Sequence, residues 1–482
     1  MMPFRMVLIL AMSALTTANA AIVTVPVTNP DPAGSGGLVE AIDVVNAGNP
    51  GDIHIIEIAL PPFEWTIELE APLPAIAQRA VILRGTRDRE AGRYIIKGNE
   101  MGTIFDMSGS GALLYSIENL ILRESGEACA IMVANTVNVI NSAFVDCLPD
   151  TGNLSALNIN GTATISESEF NSNYLNCPAA PCYGGAVNAQ GGRLTIESSF
   201  FGNNRAFSTA GVDAFGGAVH TARGIEVSDS MFEFNLAGEP DVSDGIGGAI
   251  HVNGNALIYR SAFISNAAYS DSGGGASGGA IAHRPDATIN QSLLRAWNVY
   301  FRSNFVAPWG PGGAIRVFDD GGNSSRLDVR NSTFSFNKSY SAGHDLYLAA
   351  LTEETIYHSI FDSPDGNAPC FKPGINQPLE GGWNLVGLNP CAVSGRTQVA
   401  DFGFGDTQTV GRVRFRELLP GSPAIDAGNP AASDFSDPST CRPTDIAGTD
   451  RPWAGTSGSA AVCDIGATEF IPDTLFSDAF EQ

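Results

Sequence analysis

Lysine is almost missing from this 482-residue chain, which has only Lys97, Lys338 and Lys372. Charged residues of all kinds make up 16%, against roughly 25% in an ordinary soluble protein. Acids outnumber bases 51 to 26, for a formal charge of −25. Such a chain lacks the basic footprint that phosphate backbones and anionic lipids demand, so nucleic acid is excluded as a partner. Apolar residues spaced three and four apart over a dozen positions are also lacking, which argues against a helical repeat. No apolar stretch after residue 20 approaches the length of a membrane span, about 20 residues. Glycine is plentiful instead, at 54 residues, and the chain is 44% hydrophobic, too apolar for wholesale disorder. These features describe a large, weakly charged, glycine-studded β protein.

The first twenty residues read as an export signal. Arg5 supplies a positive start, Met6 to Leu15 an apolar run, and Ala18-Asn19-Ala20 a small-x-small cleavage pattern. A buried N-terminal helix is the competing reading of the same run. The mature chain is expected to be secreted or extracellular, with no transmembrane segment. Eight cysteines follow the proposed cut. No two stand two residues apart and the outer pairs are widely spaced, which disfavours zinc and favours disulfides in an oxidising compartment. Eight cysteines allow 105 pairings; the expectation is that sequence neighbours join, as Cys129–Cys147, Cys177–Cys182, Cys370–Cys391 and Cys441–Cys463.

Internal repetition organises the middle of the chain. Gly184-Gly185-Ala186-Val187 recurs at Gly216, Gly247, Gly278 and Gly312, in steps of 32, 31, 31 and 34 residues. Between these copies lies Phe-x-x-Asn, read as Phe170–Asn173, Phe200–Asn203, Phe232–Asn235, Phe263–Asn266, Phe301–Asn304 and Phe334–Asn337. Fainter copies fall at Phe144 and Phe361. Serines precede the Phe by two positions at Ser168, Ser230, Ser261 and Ser332. The intervening segments alternate at strand spacing, as in Leu194, Ile196 and Ser198. A turn of about 31 residues with two or three short strands suits a parallel β-solenoid whose coils stack about 4.8 Å apart. Its Val, Ile and Phe would point inward, paired glycines would make the bends, and asparagines would ladder from coil to coil.

The alternation of Gly-Gly-Ala-[Ile/Val] with Phe-x-x-Asn over residues 168 to 337 resembles the repeat of the polymorphic outer-membrane proteins, right-handed β-helix passengers at bacterial surfaces. Those relatives continue into a large membrane barrel. Here about 145 residues follow the last Phe-x-x-Asn, without a series of alternating ten-residue segments. Pro420-Gly421-Ser422-Pro423-Ala424-Ile425-Asp426-Ala427-Gly428, then Thr444-Asp445, Arg451-Pro452 and Cys463-Asp464-Ile465-Gly466-Ala467, resemble the choice-of-anchor Q domain of secreted bacterial β-helix proteins. That likeness implies cell-surface or secreted biology and no particular chemistry. Asp426, Asp445, Asp464, Glu469 and Arg451 read as a network that fixes a loop-rich region rather than as a catalytic set.

The expected fold is all-β: a single-stranded, right-handed parallel β-helix with an N-terminal helical cap and a loop-rich, disulfide-bearing C-terminal cap. The expected divisions are a signal peptide (1–20), the N-terminal cap (21–60, with an amphipathic helix over 38–45), the β-helix (61–415), the C-terminal cap (416–470) and a tail (471–482). The tail bears some likeness to the C-terminal tails of exported proteins.

A site is harder to read. The residue after each Gly-Gly-Ala-[Val/Ile] stacks as Asn188, His220, His251, Ala282 and Arg316, and alternation makes this row outward-facing. His220, His251 and Arg316, beside acidic loops bearing Asp213, Asp241, Asp244 and Asp271, form a candidate binding ridge for a glycan or a cation. The competing reading is a solvated polar face. Ca²⁺ is the ion such loops would take, but no Asp-x-Asp-x-Asp-Gly spacing appears, and no cofactor or metal site is expected. A polysaccharide lyase or glycoside hydrolase of the pectate-lyase-like class is the alternative. Only Asp319-Asp320 and Gly343-His344-Asp345 echo a polygalacturonase pattern, and no catalytic residue is assigned. The residues favour a monomeric, non-catalytic adhesion or interaction protein over an enzyme, with a polysaccharide or cell-surface ligand as partner.

Overall fold

Three-to-six-residue alternating segments, each broken by Gly, Asn or Ser, are too short to pair with themselves and must bury one face against a neighbouring coil. The structure, a computed structural model, solves this as a parallel β-helix. It describes residues 20–472 except 88–91, 149–153, 241, 271–274, 287, 289–290, 319–323, 350, 364–367, 375–377, 389–390, 435–436 and 455–460. A central coil contains the strands Val219–Thr221, Ile225–Ser228, Met231–Glu233, Leu236–Ala237 and Gly245–Ile246. The next coil lies in parallel register on the first four, with Val219 opposite Ile250, Ile225 opposite Ala256, Met231 opposite Ala262 and Leu236 opposite Ala267. Because the period matches the coil, each repeat residue stacks on its own copy.

Three columns show what this achieves. Val187, Val219, Ile250, Ile281 and Ile315 stand in register and are fully buried. Phe144, Phe170, Phe201, Phe232, Phe263, Phe301, Phe334 and Phe361 form a continuous stack with ring centroids 4.7 to 5.2 Å apart. Asn173, Asn204, Asn235, Asn266, Asn304 and Asn337 form a ladder. The first five donate through Nδ2 to the Oδ1 of the next copy at 2.8 to 2.9 Å, and all six donate to a Phe carbonyl one coil back at 2.9 to 3.1 Å. One motif copy is corrected by one residue. Phe201 and Asn204, not Phe200 and Asn203, join the stack and the ladder, because Ser199 occupies the serine position and donates to its own corner at 2.8 Å.

The bends also differ from expectation. The first glycine of each pair is left-handed, with φ of 66°, 73°, 77°, 64° and 75° at Gly184, Gly216, Gly247, Gly278 and Gly312. A Cβ on the second glycine would strike the backbone of the next coil, as at Gly185 against the Gly217 carbonyl. Two further corners per coil use residues that are not glycine. The residue before each ladder serine (Glu167, Ser198, Asp229, Arg260, Asn331, His358) has φ of 39° to 52°. The residue before each ladder asparagine (Ser172, Asn203, Phe234, Ser265, Ser303, Phe336) has φ of 53° to 56°. A left-handed non-glycine residue costs about 1–2 kcal/mol. The Ser and Asn side chains offset that cost by satisfying the corner's main-chain groups, at about 1 kcal/mol for each bond.

At the start, Ile22–Val27 already pairs in parallel with Ile53–Ile58, so the solenoid opens within the segment expected to be only a cap. Helix α1 (Leu38–Asn46) leaves this first coil and buries Leu38, Ala41, Ile42 and Val45 over its core. Solenoid pairing persists to Arg396–Gln398. All four expected disulfides are present, with Cα separations of 4.8 to 6.4 Å. Among the described residues no helix is long and apolar enough to cross a membrane.

The C-terminal segment does not sit on the end as a simple cap. An antiparallel hairpin, Phe404–Val410 with Val413–Leu418, turns back along the flank. Val413 and Phe415 pack with Met231, Ala262, Ile264 and Tyr300. Arg414 reaches Glu233 at 2.7 Å, and Arg412 donates to the Glu167 carbonyl at 3.0 Å. The cause is the row just before the stacked Phe: Phe200, Met231, Ala262, Tyr300, Thr333, Ile360 and Leu385 lie in register. This outward row is largely apolar and must be covered.

Candidate functional site

The predicted ridge exists as a row but not as a surface. His220 lies opposite His251, which lies opposite Ala282, which lies opposite Arg316. His220 and His251 are only 3% and 2% exposed, which overturns both the solvated reading and the open ridge. The cover is a small parallel sheet built by the insertions, Cys182–Tyr183, Ala214–Phe215 and Gly245–Ile246. The Tyr183 ring lies 4.6 Å from His220 and the Phe215 ring 4.9 Å from His251. The two imidazoles stack at 5.0 Å and share an Nδ1···Nδ1 contact of 3.0 Å. Burial pushes His220 down to about 3 and lowers His251 strongly, with His220, Arg284 and His283 adding to the effect. Both rings are therefore neutral, one donating and one accepting, and they clamp two coils together.

Arg316 continues this row beyond the cover. Its guanidinium lies 4.0 Å over Phe318, which Arg284 also faces at 4.4 Å, and 5.6 Å from the Tyr347 ring. Burial lowers Arg316 to about 10. Asp213 is exposed and Asp244 half-buried. They immediately precede Ala214 and Gly245, which are register partners in the covering sheet. The structure thus brings His220, His251 and Arg316 into one file and Asp213 and Asp244 to its edge. Asp241 and Asp271 lie outside the described residues, as does Asp319-Asp320.

An open face stands on another side, where no site was expected. Tyr174–Asn176, Arg205–Phe207, Leu236–Ala237, Ala267–Tyr269, Phe305–Ala307 and Lys338–Ser339 form a six-coil parallel sheet. Leu175, Ala206, Ala237, Ala268 and Val306 point inward and are fully buried. Their neighbours point out as Tyr174, Arg205, Leu236, Phe305 and Lys338, with Phe207 and Tyr269 in the next row. Trp309, Tyr340, Phe234, Phe336 and Tyr174 are 67, 54, 54, 44 and 40% exposed. The Arg205 guanidinium lies 4.4 Å over Phe207 and pairs with Glu239; Lys338 lies 5.2 Å from the Tyr340 ring. The face is about 24 Å long at about 4.8 Å per coil. The residues one and three places after each ladder asparagine carried this signal in the sequence.

The acids do not assemble a hydrolytic pair among the described residues. Gly343-His344-Asp345 is a sixth copy of the glycine corner, with Gly343 at φ 66°, and Asp345 stands where the other copies place alanine. It terminates the asparagine ladder, accepting from Asn337 Nδ2 at 2.9 Å and Ser363 Oγ at 2.8 Å. Burial pushes its carboxyl up to about 7. In the C-terminal segment the Asp464 carboxylate takes the amides of Asp426 and Phe470, and Glu469 takes those of Trp453 and Asp464. Asp445 takes those of Ala447, Thr449 and Glu469. Burial and the neighbouring Glu469 raise Asp464 above the usual carboxylate range. These carboxylates hold loops. His358 lies beside Cys441 and Cys463, whose sulfurs are joined in a disulfide and are therefore not thiolate ligands. In comparisons with protein-family models, curated proteins and solved structures, nothing matches this chain.

Proposed function

We propose that this chain is a secreted or cell-surface β-helix protein that binds glycans or neighbouring surfaces without a catalytic cycle. The likeness of its repeats to polymorphic outer-membrane proteins, and of residues 420–469 to the choice-of-anchor Q domain, supports that setting. The observation that carries the reading is the open flank of Tyr174, Arg205, Trp309, Lys338 and Tyr340, held on six rigid coils. Aromatic rings take the apolar face of a sugar ring, and the two cations, rare in a chain of net charge −25, take its hydroxyl or carboxylate groups. Binding of the purified mature protein to a panel of neutral and acidic polysaccharides tests this. Trp309→Ala with Tyr340→Ala is expected to weaken binding by about tenfold or more while leaving thermal unfolding unchanged. Release of unsaturated products or new reducing ends would overturn the non-catalytic part.

A further inference from the structure

The ladder asparagines are saturated by the fold, but two asparagines near the N-terminal end are not. Strands Ala130–Ile140 and Leu157–Ser166 run side by side, with Asn160 opposite Val133 and Thr162 opposite Thr136. Gly161 therefore faces two residues, Ala134 and Asn135. This is a β-bulge, an irregularity that re-aims a side chain. Asn135, Asn160 and Thr162 are all exposed. Among the described residues, none of their three side chains finds a hydrogen-bond partner. They border an open groove of about 520 Å³ that crosses four coils, from Gly111 through Asn135 and Gly161 to Gly191. At about 4.8 Å per coil it is about 14 Å long. Its floor has no room for a side chain: a Cβ would strike the Ala134 carbonyl at Gly161, and Asn160 Oδ1 at Gly191.

We infer that this groove binds a linear neutral saccharide, with Asn135, Asn160 and Thr162 bonding its hydroxyl groups. The lining selects that chemistry. Each carboxamide both donates and accepts, as does the threonine hydroxyl, which matches a ligand whose own hydroxyls do both. No lining residue is charged or aromatic, so an ionic group finds no counter-charge and a flat apolar ring finds nothing to stack on. An extended peptide finds no strand edge to join, because the coils on both sides already pair with these strands. The nearest cation at the end of the groove is Arg79, whose Nε donates to the Gly111 carbonyl at 3.2 Å. The groove belongs to the long sheet and the aromatic flank to another, so neither site depends on the other.

Hydrogen exchange on the full mature chain locates the site. Cellohexaose or maltohexaose, two neutral hexamers, is expected to slow exchange of the amides at 133–136 and 160–163 by at least about threefold. Asn135→Ala/Asn160→Ala/Thr162→Val removes the three exposed polar groups. The triple variant is expected to abolish that slowing and to unfold at the parent's temperature. Trp309→Ala/Tyr340→Ala, which strips the flank, is expected to leave it intact. Amides that neither hexamer slows would overturn the inference, whatever the flank binds. So would slowing that survives the triple variant, or slowing lost with the flank residues. Trigalacturonate that slows these amides where the neutral hexamers do not, and fails to in Arg79→Ala, would make the groove an anion site and also overturn it.

Discussion

At the residue scale, stability rests on side chains that serve two coils at once. Asn235 donates to Asn266 Oδ1 and to the Phe201 carbonyl, and accepts from the Asn204 amide and side chain, at 2.9 to 3.1 Å. Asn235→Ala leaves buried donors and acceptors unmet on both neighbouring coils, so a loss of about 3 kcal/mol or more is expected in urea unfolding. Asp345 ends the same ladder with a group that titrates. Its folded pKa, about 7, lies above the unfolded value of about 3.9. Between those values the folded chain holds a proton that the unfolded chain has released, so stability falls as pH rises from about 4 to about 7. Asp345→Asn keeps the acceptor for Asn337 and removes the titration. The variant is expected to match the parent near pH 4 and to exceed it at pH 8 by on the order of a few kcal/mol, measured by unfolding at both pH values.

At the scale of the element, the period was legible because stacking like on like is what a parallel solenoid requires. The Val/Ile column, seven of the eight stacked Phe and five of the six ladder asparagines follow from identity at fixed spacing, and the cysteine pairing follows from nearness in sequence. Register within Phe200-Phe201 was not legible: two adjacent aromatics satisfy the motif equally, and only the neighbouring serine decides between them. Phe201→Ala opens a void in the stack and is expected to cost about 4 kcal/mol. Phe200→Ala, half-buried under the hairpin, should cost about 1 kcal/mol; the reverse order in denaturant unfolding would restore the original reading. The site was harder still. Alternation correctly sets His220 and His251 on the outer face, but local periodicity cannot report that Tyr183 and Phe215, displaced by 37 and 36 residues from those they cover, return as a second layer. The open aromatic flank lay in the variable positions of the repeat, where no copy resembles the next.

At the scale of the molecule, a solenoid this long has three kinds of exposed liability: its two ends and any apolar outer row. Helix α1 answers the first end. The outer row beside the Phe stack, from Phe200 to Leu385, is answered by the returning hairpin and the loops behind it. Among the anchors of that covering are Val413 and Phe415 in the apolar contact, Arg414 on Glu233, Asn298 Nδ2 on the Thr444 carbonyl at 2.8 Å and Ala467 N on Thr333 Oγ1 at 3.0 Å. The solenoid core itself draws on none of them. Val413→Asp with Phe415→Asp places two charges against Met231, Ala262 and Tyr300, and a buried unpaired charge is costly. The hairpin should therefore lift while the coils stay stacked. Limited proteolysis is expected to cut the double variant within residues 404–418 far faster than the parent, with the fragment ending near residue 400 staying resistant and its β circular dichroism intact. Lifting the hairpin also bares the row from Phe200 to Leu385, so the same variant should self-associate in sedimentation more than the parent. A variant that is cut early yet stays monomeric would mean that the row needs no cover, and that the hairpin docks for another reason.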